Sequence, residues 1–96
     1  MSASKKSLDP VQILCLDGDG IGPEITAATR RVLQAVDDCF DLNLTFTTQD
    51  IGFVSLVALG TTFPDKVLDA AKAADGIVLG PVSTIDYPPA SEGGIN

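Results

Sequence analysis

The chain has 96 residues, 45% of them apolar and 20% charged, which places it with globular rather than disordered chains and leaves room for one small domain. Thirteen acidic and six basic side chains give a net charge of −7, and His is absent, so no Ser/His/Asp triad, Cys/His dyad, His-ligated zinc or imidazole base can be built from this chain. Nucleic acid and anionic membranes are excluded as partners, because the only adjacent cations are Lys5-Lys6 and Arg30-Arg31.

A chain this short buries only about 60–65% of the surface its unfolded form exposes, so its core is expected to be modest and to lean on a partner. Cys15 and Cys39 lack C-x-x-C spacing. They read as one buried thiol and one near a helix end, in a reducing cytoplasm. No apolar run approaches the roughly 18–20 residues of a membrane helix, and residues 1–10 hold no apolar run of signal-peptide length, so no targeting or anchoring segment is expected.

Residues 1–10 are polar and rich in Ser and Lys, and are expected to form a flexible tail before a structured part spanning 11–96. Val11 to Leu16 is a short apolar run without alternation, as in a strand buried on both faces of a parallel sheet. The turn Asp17-Gly18-Asp19-Gly20-Ile21-Gly22 leads into Pro23 and Glu24, which suit a first helical turn. Ile25, Ala28, Thr29, Val32, Leu33 and Val36 then recur at helical spacing, a stripe expected to pack on the sheet and to end near Asp38.

Leu42 to Thr48 alternates apolar and polar residues, predicting a more exposed strand. Phe53 to Leu59 is apolar and fits helix or strand, bounded by Gly52 and Gly60. Thr62 and Asp65 have the spacing of a capping box for a helix that runs to about Ala74. Gly76 to Leu79 predicts a second central parallel strand. The order strand, helix, strand, helix, strand implies an α/β fold with a largely parallel sheet and flanking helices. Residues 80–96 show only loop chemistry and are expected to form an unsupported tail, as though the chain stopped before its fold was complete.

Ligands in open α/β sheets gather at the carboxyl ends of strands, which singles out the Gly-rich turn and the loop after Leu79. Gly18-x-Gly20-x-Gly22 misplaces the third Gly of a dinucleotide fingerprint, and Asp17 and Asp19 would repel a pyrophosphate. A tight turn is the plainer reading. Asp17, Asp19 and Glu24 could suggest a metal, but the helix dipole accounts for Glu24, so no metal ligand is assigned. Ser83 and Thr84 offer hydroxyls for a small acid or a cofactor, or serve as ordinary turn formers.

Gly18-Asp19-Gly20-Ile21-Gly22-Pro23-Glu24, between a buried strand and a helix, resembles the N-terminal signature of the isocitrate and 3-isopropylmalate dehydrogenases, the metal-dependent β-decarboxylating dehydrogenases. Gly60 to Leu68 and Ala74 to Val82 are similar to the helix and following strand of that family. The resemblance implies the first part of an isopropylmalate dehydrogenase-like fold. It also implies, in the full-length member, NAD or NADP with Mg²⁺ or Mn²⁺, a small-molecule 2-hydroxy diacid of the isocitrate, 3-isopropylmalate or tartrate type, and a homodimer.

Carried over by position, the resemblance assigns Ser83, Thr84 and Asn96 to cofactor binding. Gly93-Gly94-Ile95 matches the lead into the family's substrate loop, and Asn96 replaces the Arg or Glu usual there. No catalytic residue and no metal ligand falls within 1–96. Arg30 and Arg31 sit on the first helix, away from both loops, and Tyr87 reads as rigid loop packing. The chain is therefore expected to be an N-terminal, cytoplasmic fragment of the dehydrogenase, inactive alone. The alternative is a non-catalytic regulatory or interaction subunit that uses the same half-domain and docks through a sheet edge.

Overall fold

A computed structural model describes residues 9–95. β1 (Val11–Leu16) is the central strand of a three-stranded parallel sheet, flanked by β2 (Leu44–Gln49) and β3 (Gly76–Leu79). Three helices connect them: α1 (Gly22–Phe40), α2 (Phe53–Leu59) and α3 (Asp65–Ala73). The fold is the expected α/β architecture, and its pairing sets Ile13 opposite Phe46 and Gly76, and Leu16 opposite Gln49 and Leu79.

Side chains alternate along a strand, so β1 serves both faces of the sheet. Leu14 and Leu16 point to one face and join Ile51 and Val67 in the buried core, with Phe63, Ala70, Ala71 and Ala74 packed against it. Cys15 points to the other face and is also buried, which raises its thiol pKa. On that face the Arg30 guanidinium of α1 lies 5.0 Å from the centre of the Phe46 ring, and its Nη1 donates to Thr48 Oγ1 at 3.4 Å.

α1 begins and ends within two residues of the expected bounds, but its apolar stripe does not pack on the sheet. Its buried residues are Gly22 and Thr26, whereas Ile25, Val32 and Val36 are exposed. The helix meets the sheet along the line through Gly22, Thr26 and Arg30, and this turns the stripe toward water.

The ambiguous 53–59 segment is helical, because Gly60 ends it in a left-handed conformation with its N–H on Leu56 O at 2.9 Å. The capping role expected of Thr62 is not found. Pro64 precedes the first residue of α3, and its carbonyl accepts from Val67 N–H at 3.0 Å. β3 is parallel as expected but lies at a sheet edge among the described residues, with Ile77 and Leu79 exposed, since no described strand pairs beyond it.

The segment after Leu79 is likewise not an unsupported tail. It forms two 3₁₀ turns, Thr84–Asp86 and Ala90–Glu92, and returns to the body of the protein. Thr62 N–H donates to Gly93 O at 2.9 Å, and Ile95 N–H donates to Thr62 Oγ1 at 2.7 Å. The anchoring of 93–95 is what uses the Thr62 hydroxyl. Residues 1–8 of the expected tail and Asn96 lie outside the described residues. No helix among the described residues is long and apolar enough to cross a membrane.

Candidate functional site

With β1 in the middle, the chain passes from it to β2 on one side and then crosses from β2 to β3 on the other, and such a switch in direction opens a crevice at the carboxyl ends of the strands. Both stretches singled out from sequence meet there. The turn at 17–22 presses against the exit of β3: Asp19 N–H donates to Pro81 O at 2.8 Å, and Gly80 N–H donates to Leu16 O at 2.8 Å. Only Gly fits at position 18, where φ is +80° and a Cβ would stand 2.1 Å from Pro81 O. The Gly-rich turn is thus a structural joint, in agreement with its reading as a tight turn.

Asp19 lies at the centre of this joint, with only 7% of its surface exposed. Its Oδ1 accepts from Phe53 N–H at 2.7 Å, and its Oδ2 accepts from Ser83 N–H at 2.9 Å and from the Tyr87 hydroxyl. Burial alone would raise the pKa of this carboxyl, but the donors Ser83, Tyr87 and Phe53 favour the charged form and together bring it below the ordinary Asp value. Burial raises the Tyr87 phenol, and its bond to Asp19 raises it further. The close approach needs Gly52, where φ is +77° and a Cβ would meet Asp19 Oδ1 at 2.3 Å.

Tyr87 also packs edge-on against Phe53, with ring centres 5.0 Å apart and planes at 89°. The expectation of rigid loop packing for Tyr87 agrees with this arrangement. Its bond to Asp19 was not expected, nor was the role of Asp19. Asp17 and Asp19 look alike in sequence, each followed by Gly, and the burial that separates them comes from residues 52–53 and 83–87. No local signal would have found it.

Beside the joint is a cleft of about 300 Å³, at the lower end of the range for small-molecule sites. Ile51, Phe63, Leu79, Val82 and Ile95 give it apolar walls. Thr62, Thr84 and Tyr87 are its polar residues; Thr62 is bonded to 93–95 and Tyr87 to Asp19. Of the three cofactor candidates, Thr84 lines this cleft, Ser83 gives its N–H to Asp19, and Asn96 lies outside the described residues. No Lys or Arg lines the cleft, and Arg30 is held against Phe46 on the α1 face. Among the described residues no three Cys, Asp or Glu side chains come together as a metal site, and both Asp19 oxygens are already bonded.

Residues 12–95 match the family model for isocitrate/isopropylmalate dehydrogenase. The chain is 49% identical over 71 residues to a 3-isopropylmalate dehydrogenase of Hahella chejuensis, covering 74% of this chain and 20% of that protein. It is 47% identical over 70 residues to one of Psychrobacter cryohalolentis, covering 73% of this chain and 19% of that protein. Among solved structures it is similar to an isocitrate dehydrogenase of Methylococcus capsulatus, with TM-score 0.67, 32% identity, and coverage of 76% of this chain and 20% of the other. An apo β-decarboxylating dehydrogenase of Thermococcus kodakarensis superimposes with TM-score 0.69 and 25% identity, covering 82% of this chain and 23% of the other. The chain therefore spans about a fifth of the length of the relatives it matches.

Proposed function

Since the chain belongs to the isocitrate/isopropylmalate dehydrogenase family, we propose that it is the N-terminal portion of a dehydrogenase that oxidises and decarboxylates a 2-hydroxy diacid, with 3-isopropylmalate as the first candidate. The match over residues 12–95 carries this reading. 3-Isopropylmalate is the substrate for which those relatives are named. A homodimer in the cytoplasm is the expected setting of the whole protein.

The chemistry of the cleft supports a share in cofactor binding for this portion. Apolar walls and a Thr84 hydroxyl without a partner among the described residues suit one ring of a nicotinamide cofactor, and about 300 Å³ is too small for a whole dinucleotide. NAD or NADP, when bound, accepts the hydride taken from the substrate. In this reading Leu79 and Val82 keep water from the ring, while Thr84 orients it by a hydrogen bond.

The diacid has to be held elsewhere in the protein. Two carboxylates need Arg or Lys partners, the cleft offers none, and the net charge of −7 opposes a dianion. The described residues likewise bring together no set of carboxylates that could hold Mg²⁺ or Mn²⁺. The 96-residue chain alone is expected to be inactive.

The test is a chimera of the Hahella chejuensis 3-isopropylmalate dehydrogenase in which the 71 matched residues are replaced by those of this chain. Turnover of 3-isopropylmalate is expected, and Thr84→Val should raise the KM for the nicotinamide cofactor roughly tenfold. A folded chimera inactive on 3-isopropylmalate would overturn the dehydrogenase reading.

A further inference from the structure

Residues 82–92 run over the crevice between two fixed points. At one end Gly80 N–H bonds to Leu16 O and Pro81 O accepts from Asp19 N–H, both at 2.8 Å; at the other, Gly93 O accepts from Thr62 N–H at 2.9 Å. Inside the segment the main-chain bonds are local: Asp86 N–H to Ser83 O, Tyr87 N–H to Thr84 O, and Glu92 N–H to Pro89 O. Its outer face is in water, with Ile85 93% exposed.

Among the described residues, the hydrogen bonds that hold the middle of this segment to the rest of the protein end on one group, the Asp19 carboxylate, reached by Ser83 N–H and the Tyr87 hydroxyl. The edge-on contact of Tyr87 with Phe53 is the accompanying apolar tie. Phe53 is anchored to the same carboxylate through its own N–H. Val82, Thr84 and Tyr87 belong to the segment and form one wall of the cleft.

We propose that residues 82–92 are a strap latched in its middle by Asp19, and that opening this latch uncovers the cleft. A segment that buries little apolar surface and is pinned at both ends opens at a cost set by its central bonds, and bonds to a charged acceptor are the strong ones. Asp19 is thus a positioning residue for Ser83 and Thr84. The inference rests on contacts within this chain and does not depend on the dehydrogenase reading.

The experiment is amide hydrogen exchange on the 96-residue chain, combined with near-ultraviolet circular dichroism. Tyr87 is the only Tyr and Trp is absent, so that dichroism reports chiefly on Tyr87. Asp19→Asn keeps the shape but places an amide donor against either Phe53 N–H or Ser83 N–H. The amides of Ser83, Asp86 and Tyr87 should then exchange roughly tenfold faster and the Tyr87 signal should weaken, while Leu14, Cys15 and Leu16 keep their protection. Unchanged exchange at these three amides in a folded Asp19→Asn chain would overturn the proposal. If that variant does not fold, Tyr87→Phe decides: it keeps the ring on Phe53, and faster exchange at Ser83 supports the latch, whereas none contradicts it.

Discussion

The carboxyl end of the sheet and the outer side of α1 are built to different standards. At the sheet end, Gly18 and Gly52 permit backbone approaches that any side chain would block, and Asp19 meets three donors. Along α1, Ile25, Val32, Val36 and Phe40 are left in water, the last turn carries no basic residue, and Asp37 and Asp38 stand at the negative end of the helix dipole. The difference teaches that the crevice is specified by contacts inside this chain, whereas the flanks contribute little stability of their own.

Substitutions at the sheet end should be the most damaging. Gly18→Ala sets a Cβ against Pro81 O at positive φ and should cost more than about 3 kcal/mol, read as loss of a cooperative thermal transition. Gly20→Ala is the control: φ is also positive, but nothing lies within 4 Å, so about 1 kcal/mol is expected. Equal costs at the two positions would contradict the joint described here.

Leu14→Ala, in the core under β1, should cost about 2–5 kcal/mol in denaturant unfolding. Thr62→Val should cost about 1–3 kcal/mol, because Ile95 N–H loses its acceptor, and the loss should appear as faster exchange at residue 95. On the outer face of α2, Val57, which is 88% exposed, should tolerate Ser within about 0.5 kcal/mol in the same unfolding measurement.

The same contrast has a pH signature. The folded-state pKa of Asp19 lies below its unfolded value, so its stabilising bonds are fully present above about pH 4 and are lost as pH falls through the folded value. Tyr87 shifts the other way: its contribution is full below about pH 10 and is lost as pH rises through its raised value. Melting temperature against pH should show both effects in the native chain and lose the acid one in Asp19→Asn.

Much of the architecture was legible from local pattern. The apolar run Ile13 to Leu16 of β1, the Pro23-Glu24 helix start and the Gly60 stop each reflect a constraint that acts within a few residues. What the pattern misjudged depends on distant partners. The α1 stripe satisfies helical periodicity, yet contact runs through Gly22 and Thr26, because small residues let the helix approach the sheet. Thr62 has the spacing of a cap, but its hydroxyl serves residues 93–95 across a separation no local rule covers. At the site, Thr84 was recognisable as a strand-end hydroxyl. Asp19 was not, because its environment is assembled by residues 52–53 and 83–87.

Residue-by-residue hydrogen exchange on the unmodified 96-residue chain tests most directly whether the crevice is built by this chain itself. Amides of Asp19, Gly80 and Phe53, bonded to Pro81 O, Leu16 O and Asp19 Oδ1, should be protected nearly as well as those of Leu14 to Leu16, and the second half of α1 should exchange faster. Protection of α1 to its C-terminus with free exchange at Asp19, Gly80 and Phe53 would contradict the account.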